Sequence, residues 1–138
     1  MVRFVDSNIF IYHIDRNPRF GEIAREILLR IEKGEEAVTS TLVLEEVFVH
    51  VEQEYSVKDI PIVLYSIVSY ASLRIVPYEV GDMLRAVEIL GEVNYDMDWD
   101  DAVIVATMER YKIKDIYSND SHFDRIPWIK RVFQSVTS

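Results

Sequence analysis

Short apolar runs alternate with longer stretches of helical period along this chain. Residues 2–5 form an apolar run with a single Arg, and the run stops at the polar Asp6-Ser7-Asn8, which predicts a strand ending in a turn. Ser7 or Asn8 suits the cap of a helical turn over residues 9–13. Pro18 fits the start of a helix and Gly34 its stop. Between them Ile23, Ile27 and Ile31 recur at i, i+4 and i+8, with Ala24 and Leu28 beside them. Residues 37–39 predict a second short strand, and Ser40 or Thr41 caps a helix running to about Glu54. The uncharged stretch 60–72 predicts an apolar helix, 74–77 a third strand and 80–93 a charged amphipathic helix. Residues 98–111 predict a helix with a buried middle, Ala102 to Ala106; 115–118 and 130–133 predict two further strands.

Strands alternating with helices imply a parallel sheet covered by helices on both faces. The expected fold class is α/β, a three-layer α/β/α arrangement around a short, mostly parallel central sheet. No repeat, low-complexity tract or Pro/Gly-rich linker divides the chain, so residues 1–138 read as one domain. Ligands of such sheets sit at the carboxyl ends of the strands. Asp6 directly follows the first strand, and Asp120 follows the fourth by two residues. Asp100 and Asp101 open the helix before that strand, and Glu45 and Glu46 lie near the start of the helix after the second. Any one of these acids is an ordinary turn or cap residue; their coincidence at one edge is the signal.

Helical geometry separates the paired acids. Glu45 shares its face with Glu52, whereas Glu46 falls beside Leu42, Val43 and His50 on a less polar stripe and is expected to face the site. Asp101 directly precedes the buried Ala102–Ala106 run, which leaves Asp100 as a cap or dipole partner. Crowded carboxylates repel one another and raise their pKa values unless a cation compensates. Oxygen-rich sets of this kind select hard ions such as Mg²⁺ or Mn²⁺.

Composition narrows the chemistry. The absence of cysteine excludes disulfides, zinc–thiolate sites, iron–sulfur clusters and cysteine nucleophiles. Three histidines, His13, His50 and His122, are too few for a His-rich zinc site. His50, on an apolar stripe, reads as a core or rim residue and His13 as solvated. No stretch reaches the ~18 apolar residues of a membrane span, and residues 1–8 lack a signal-peptide core. A cytoplasmic protein without membrane contact is expected. The net charge of −9 argues against coating a nucleic-acid backbone and fits a carboxylate site that holds a cation. Asp6-Ser7-Asn8 lacks the second Asp of a haloacid-dehalogenase phosphatase, Ser118-Asn119-Asp120 lacks the Lys of a receiver domain, and four scattered glycines cannot build a nucleotide loop.

Four stretches, in order and spanning nearly the whole chain, resemble the PIN-domain ribonuclease family, especially its small VapC-type toxins. They are Val5-Asp-Ser-Asn-Ile-Phe, Thr39-Ser-Thr-Leu-Val-Leu-Glu-Glu-Val, Asp101-Ala-Val-Ile-Val-Ala and Ile116-Tyr-Ser-Asn-Asp-Ser-His-Phe-Asp-Arg-Ile. The resemblance implies that Asp6, Glu46, Asp101 and Asp120 hold Mg²⁺ or Mn²⁺ and cleave RNA. Asp6, Asp101 and Asp120 would bind the ion, Glu46 would bind it or position the attacking water, and Asn8 and Ser118 would support the site. One residue departs from the pattern. Many relatives carry an Asp immediately before the late Phe, where this chain has His122, so a ligand is either missing or supplied by Asp124. Arg110, Lys112, Lys114, Arg125, Lys130 and Arg131 are the basic candidates to flank the pocket and contact phosphates. Trp99 and Trp128 flank the same segments, with Trp99 expected to pack inward. VapC-type toxins also imply an antitoxin partner and a homodimer. The uncharged face of the 60–72 helix suits that dimer, since it carries Tyr and Ser where a solvated helix carries Lys or Glu. The alternative is a non-catalytic acidic interaction module on the same fold, favoured by the charge and by His122, opposed by the four intact acids.

Overall fold

The structure is a computed structural model, and it describes residues 1–135. The elements run β1 (Arg3–Val5), α1 (Ser7–Ile14), α2 (Gly21–Glu32), β2 (Ala37–Ser40), α3 (Thr41–Glu54), α4 (Ile60–Val68), β3 (Leu73–Val76), α5 (Val80–Glu92), α6 (Trp99–Arg110), β4 (Asp115–Tyr117) and β5 (Lys130–Val132). Short 3-10 turns at Val57–Asp59 and Ser121–Arg125 complete it. The five strands form one all-parallel sheet in the order β3-β2-β1-β4-β5. The chain steps outward from β1 to β3, then returns to β1's other side for β4 and β5.

That reversal produces the three layers. Parallel crossovers are right-handed, so connections travelling in opposite directions fall on opposite faces of the sheet. Helices α1 to α4, which serve β1→β2→β3, pack with one another, and α5 packs with α6. The central strands are apolar on both faces, as a doubly covered sheet requires: Phe4, Val5, Ile116 and Tyr117 are fully buried. Helix α6 is buried along Asp101–Met108, which explains the uninterrupted apolar stretch in its sequence.

Three local expectations need correcting. The cap of α1 is Asp6, whose Oδ1 accepts the Ser7 N–H at 2.8 Å, and not Ser7 or Asn8. Helix α2 begins at Gly21, three residues after Pro18. The Asn17 Oδ1 accepts the N–H groups of Arg19 and Phe20, both at 2.9 Å, and holds a turn there first. Helix α4 ends at Val68 because Ser69 Oγ donates to the Ser66 carbonyl at 2.6 Å, diverting the last turn. The other ends agree: Ser40 caps α3, with its Oγ accepting the Val43 N–H, and Gly34 leaves α2 at φ 119°, a conformation costly for any residue with a Cβ.

Candidate metal centre

The switch point of the sheet lies between β1 and β4, where neighbouring crossovers diverge and leave a crevice at the strands' carboxyl ends. Asp6 leaves β1 into this crevice and is 3% exposed. Its Oδ2 accepts from Ser118 Oγ at 2.7 Å and from Asn8 Nδ2 at 3.2 Å. Ser118 follows β4 directly and is fully buried; its Oγ also accepts the Asp120 N–H at 3.0 Å and Asn8 Nδ2 at 3.2 Å. The Asn8 Oδ1 in turn accepts the Asn119 N–H at 3.3 Å. Asn8 and Ser118 thus tie the ends of β1 and β4 together and fix the Asp6 carboxylate. Thr39 fixes the β2 side, donating from Oγ1 to the Val5 carbonyl at 2.8 Å.

Onto this floor α3 delivers Glu46 and α6 delivers Asp101. Glu46 is half-buried, and its Oε1 is buried with no partner, while Glu45 is exposed. Asp101 is 7% exposed, and its Oδ2 likewise has no partner. Asp120 lies near enough to Asp101 to raise its carboxyl. Asp6, Glu46, Asp101 and Asp120, from segments far apart in the chain, thus lie close enough for their charges to act on one another. Among the described residues, the ligand atoms within 4.8 Å of one another are those of Asp98, Asp101 and His122. Asp100 is half-buried at the rim and adds its charge to the field at Glu46.

Burial and mutual repulsion dominate the electrostatics of these acids. Burial pushes the Asp6 carboxyl up to about 6; the Asp120 charge adds to the rise, and hydrogen bonds from Ser118 and Ser7 restrain it. Burial pushes Glu46 up to about 8, reinforced by Asp6, Asp100 and Asp120. Asp101 is raised by burial, by its contact with Asp120 and by the charges of Asp6, Asp120 and Glu46. Buried acceptor atoms are normally paired; here Glu46 Oε1 and Asp101 Oδ2 point into one acidic crevice unpaired. An oxygen-ligated divalent cation fits both the charge and the orphaned atoms.

Two supporting expectations meet different geometry. Asp124 is exposed and accepts both Nε and Nη2 of Arg131 at 3.0 Å, which hold its carboxyl below the usual range; it meets the site only through that arginine, whose Nη1 donates to the Ser118 carbonyl at 3.4 Å. Arg131 thus reaches the crevice, with the Asp120 charge acting on it; the two lysines before β4 do not. Lys112 and Lys114 precede β4 at the opposite edge of the sheet, and Lys130 opens β5 there. Arg110 binds Asp82, Arg125 binds Asp96, and Arg131 binds Asp124. Trp99 is 43% exposed rather than packed, because the first residue of α6 precedes its buried stretch. His50 is a rim residue, with Nε2 2.9 Å from Asp15, and His13 is exposed.

Sequence reasoning missed Asp98. It offers a carboxylate oxygen within 4.8 Å of ligand atoms of Asp101 and His122. The signal was present: Asp98 lies three residues before Asp101, at the cap of the helix that carries it.

With fold and crevice defined, the class is plain: residues 3–129 match the PIN domain family, and the chain belongs to it. No curated protein sequence matches significantly. Among solved structures, the chain resembles VapC20 of Mycobacterium tuberculosis, a sarcin–ricin loop-cleaving toxin, at a TM-score of 0.74 and 18% identity over 90% of this chain and 93% of that one. It also resembles VapBC2 of Rickettsia felis bound to a promoter DNA fragment (TM-score 0.73, 18% identity, 96% and 98% covered). VapBC-1 of nontypeable Haemophilus influenzae is similar over the full length of both chains at a TM-score of 0.70 and 15% identity.

Proposed function

We propose that the protein is a divalent-metal-dependent endoribonuclease of the cytoplasm and the toxin of a toxin–antitoxin pair. One observation carries the reading. Asp6, Glu46, Asp101 and Asp120 converge at the switch point of a PIN fold, with two of their oxygens buried and unpaired. Neighbours of the same fold include an RNA-loop-cleaving toxin and toxin–antitoxin complexes.

Asp6, Asp101 and Asp120 would hold Mg²⁺ or Mn²⁺. Such an ion supplies Lewis acidity, acidifying water and neutralising charge that develops on a phosphate oxygen. The chain's own groups do the rest. Glu46 Oε1, free of any protein partner, accepts a hydrogen bond from the attacking water and orients it towards phosphorus. Asn8 and Ser118 keep both lone-pair directions of Asp6 Oδ2 fixed, so the carboxylate cannot rotate out of the crevice. The water oxygen bonds to phosphorus as the P–O bond to the leaving ribose oxygen breaks. Trp99, exposed beside the acids, offers an aromatic face on which a flanking base can stack. The exposed apolar side chains of α4, Ile62, Tyr65 and Val68, support a homodimer through that helix. An antitoxin is the natural second partner, its basic side chain complementing the acidic crevice.

The test is incubation of purified protein with a mixed RNA pool and Mg²⁺ or Mn²⁺, beside Asp101→Asn. Metal-dependent internal cleavage, lowered at least ~100-fold by the substitution, is expected. A folded protein that binds metal yet never cleaves RNA would instead fit the acidic interaction module.

A further inference from the structure

His122 lies in the 3-10 turn that follows β4, and its imidazole is turned towards the acids. Asp120 causes this turn: its Oδ1 accepts the His122 N–H at 2.9 Å and folds the chain back on itself. The ring Nδ1 then lies 3.2 Å from Asp120 Oδ1 and 3.7 Å from Asp101 Oδ2. Neither approach has hydrogen-bond geometry, though each is an ion-pair contact when the ring is protonated; Nδ1 and Asp101 Oδ2 are both buried and without a hydrogen-bond partner. His50 shows the contrast, since its Nε2 makes a true hydrogen bond to Asp15.

Asp98 completes the group. It occupies the cap position of α6, with extended backbone at φ −72° and ψ 154°, where an Asp side chain ordinarily accepts an N–H of the first turn. Here the side chain makes no capping bond, so its carboxylate is free to take another partner. One ligand atom each from Asp98, Asp101 and His122 lies within 4.8 Å of the others. Two ligands of one ion can stand no further apart than twice the bond length, about 4.3 Å. The Asp101–His122 separation already satisfies this, and the exposed Asp98 side chain can close the remainder by rotation.

We infer that Asp98, Asp101 and His122 form a mixed oxygen–nitrogen site that takes a transition-metal divalent cation, such as Mn²⁺, in preference to Mg²⁺. The inference rests on the metal-dependent reading above and adds two ligands to it. Mg²⁺ demands hard oxygen donors and gains little from imidazole, whereas divalent transition ions accept imidazole nitrogen readily. A single nitrogen replacing an oxygen therefore changes which ion is held, while Asp101 links the site to Asp6, Glu46 and Asp120. His122 is in this account a specificity-determining residue.

The experiment is electron spin-echo spectroscopy of the full chain, freed of metal with chelator and loaded with less than one equivalent of Mn²⁺, beside calorimetric titrations with Mn²⁺ and Mg²⁺. The wild type should show ¹⁴N modulation from a directly bound imidazole. That modulation should vanish in His122→Asp and in His122→Gln, and persist in His50→Gln. His122→Asp should also lower the preference for Mn²⁺ over Mg²⁺ by roughly tenfold, and Asp98→Asn should weaken Mn²⁺ binding. Bound Mn²⁺ without nitrogen modulation in the wild type overturns the mixed site and leaves the carboxylate site standing. Modulation that survives both His122 substitutions overturns it too. No Mn²⁺ binding at all removes both readings.

Discussion

Replacing Asp101 by Asn should stabilise the protein in the absence of metal, by an amount that depends on pH. The carboxyl is 7% exposed, its Oδ2 has no donor, and Asp6, Asp120 and Glu46 all oppose its charge. Its folded pKa is therefore raised, so the folded state holds a proton that the unfolded state releases near pH 4. The sign follows directly. The penalty is absent below about pH 4, grows as pH rises, and saturates once pH passes the folded value. Each pH unit crossed costs about 1.4 kcal/mol, which caps the penalty near 4 kcal/mol at pH 7. The substitution also removes an acid from the first turn of α6, a loss of about 0.3–1 kcal/mol. Allowing for relaxation around the site, the net gain at pH 7 should be about 1–3 kcal/mol. For a chain of this length that raises the melting temperature by roughly 3 °C per kcal/mol. Urea denaturation in chelator at pH 4.5, 7 and 8 would measure it. The expected gain is near zero at the lowest pH and largest at the highest. A substitution that destabilises at every pH, or by the same amount at each, would mean that Asp101 is a structural group and that the electrostatic reasoning is wrong.

In the wild type, Mg²⁺ or Mn²⁺ at about 100 times its dissociation constant should stabilise the fold by ~2.7 kcal/mol. Scanning calorimetry of the Asp6→Asn/Asp101→Asn double variant should show that shift lost, and an equal shift there would locate the ion elsewhere. Away from the crevice, Arg110→Ala should cost about 2–3 kcal/mol in urea denaturation, because it strands Asp82, a buried carboxylate that Arg110 binds through Nε and Nη2 at 2.9 Å. Arg110→Lys should recover only part of this, since an ammonium cannot reproduce the two-pronged contact; full recovery would refute the geometric argument. Tyr65→Glu with Ser69→Lys, on the exposed side of α4, should give a folded monomer in sedimentation equilibrium, and a wild type monomeric at high micromolar concentration would remove the dimer.

The strands and the long helices were legible because their patterns are local. Residues 24, 27, 28 and 31, flanked by the half-buried Ile23, mark the buried stripe of α2 regardless of what the stripe packs against, and the apolar run of α6 announces its burial. The choice of Glu46 over Glu45 also needed only helical geometry, and Glu45 is exposed. What failed was decided by side chains bonding to nearby backbone. Asn17 delays α2 and Ser69 ends α4, and neither competition shows in hydrophobic periodicity. Lys112 and Lys114 were misplaced for a different reason. Sequence proximity to β4 says nothing about which edge of the sheet a residue meets, and Lys112 and Lys114 come before the strand while the acids follow it. Asp98 and the direction of the His122 ring needed the three-dimensional turn at Asp120.

The reversal of strand order at β1 also has a consequence in time. Asp6 and Ser118 are 112 residues apart in the chain yet share a hydrogen bond. Loop closure over such a span comes late in folding, after local helices and near-neighbour strands have formed. The acids that must meet last are also those that repel one another, so this closure is opposed by their charges. A ribosome that has not yet delivered residue 120 carries a chain with one wall of its crevice missing. The crevice is completed all at once, with the last part of the chain, rather than assembled in stages.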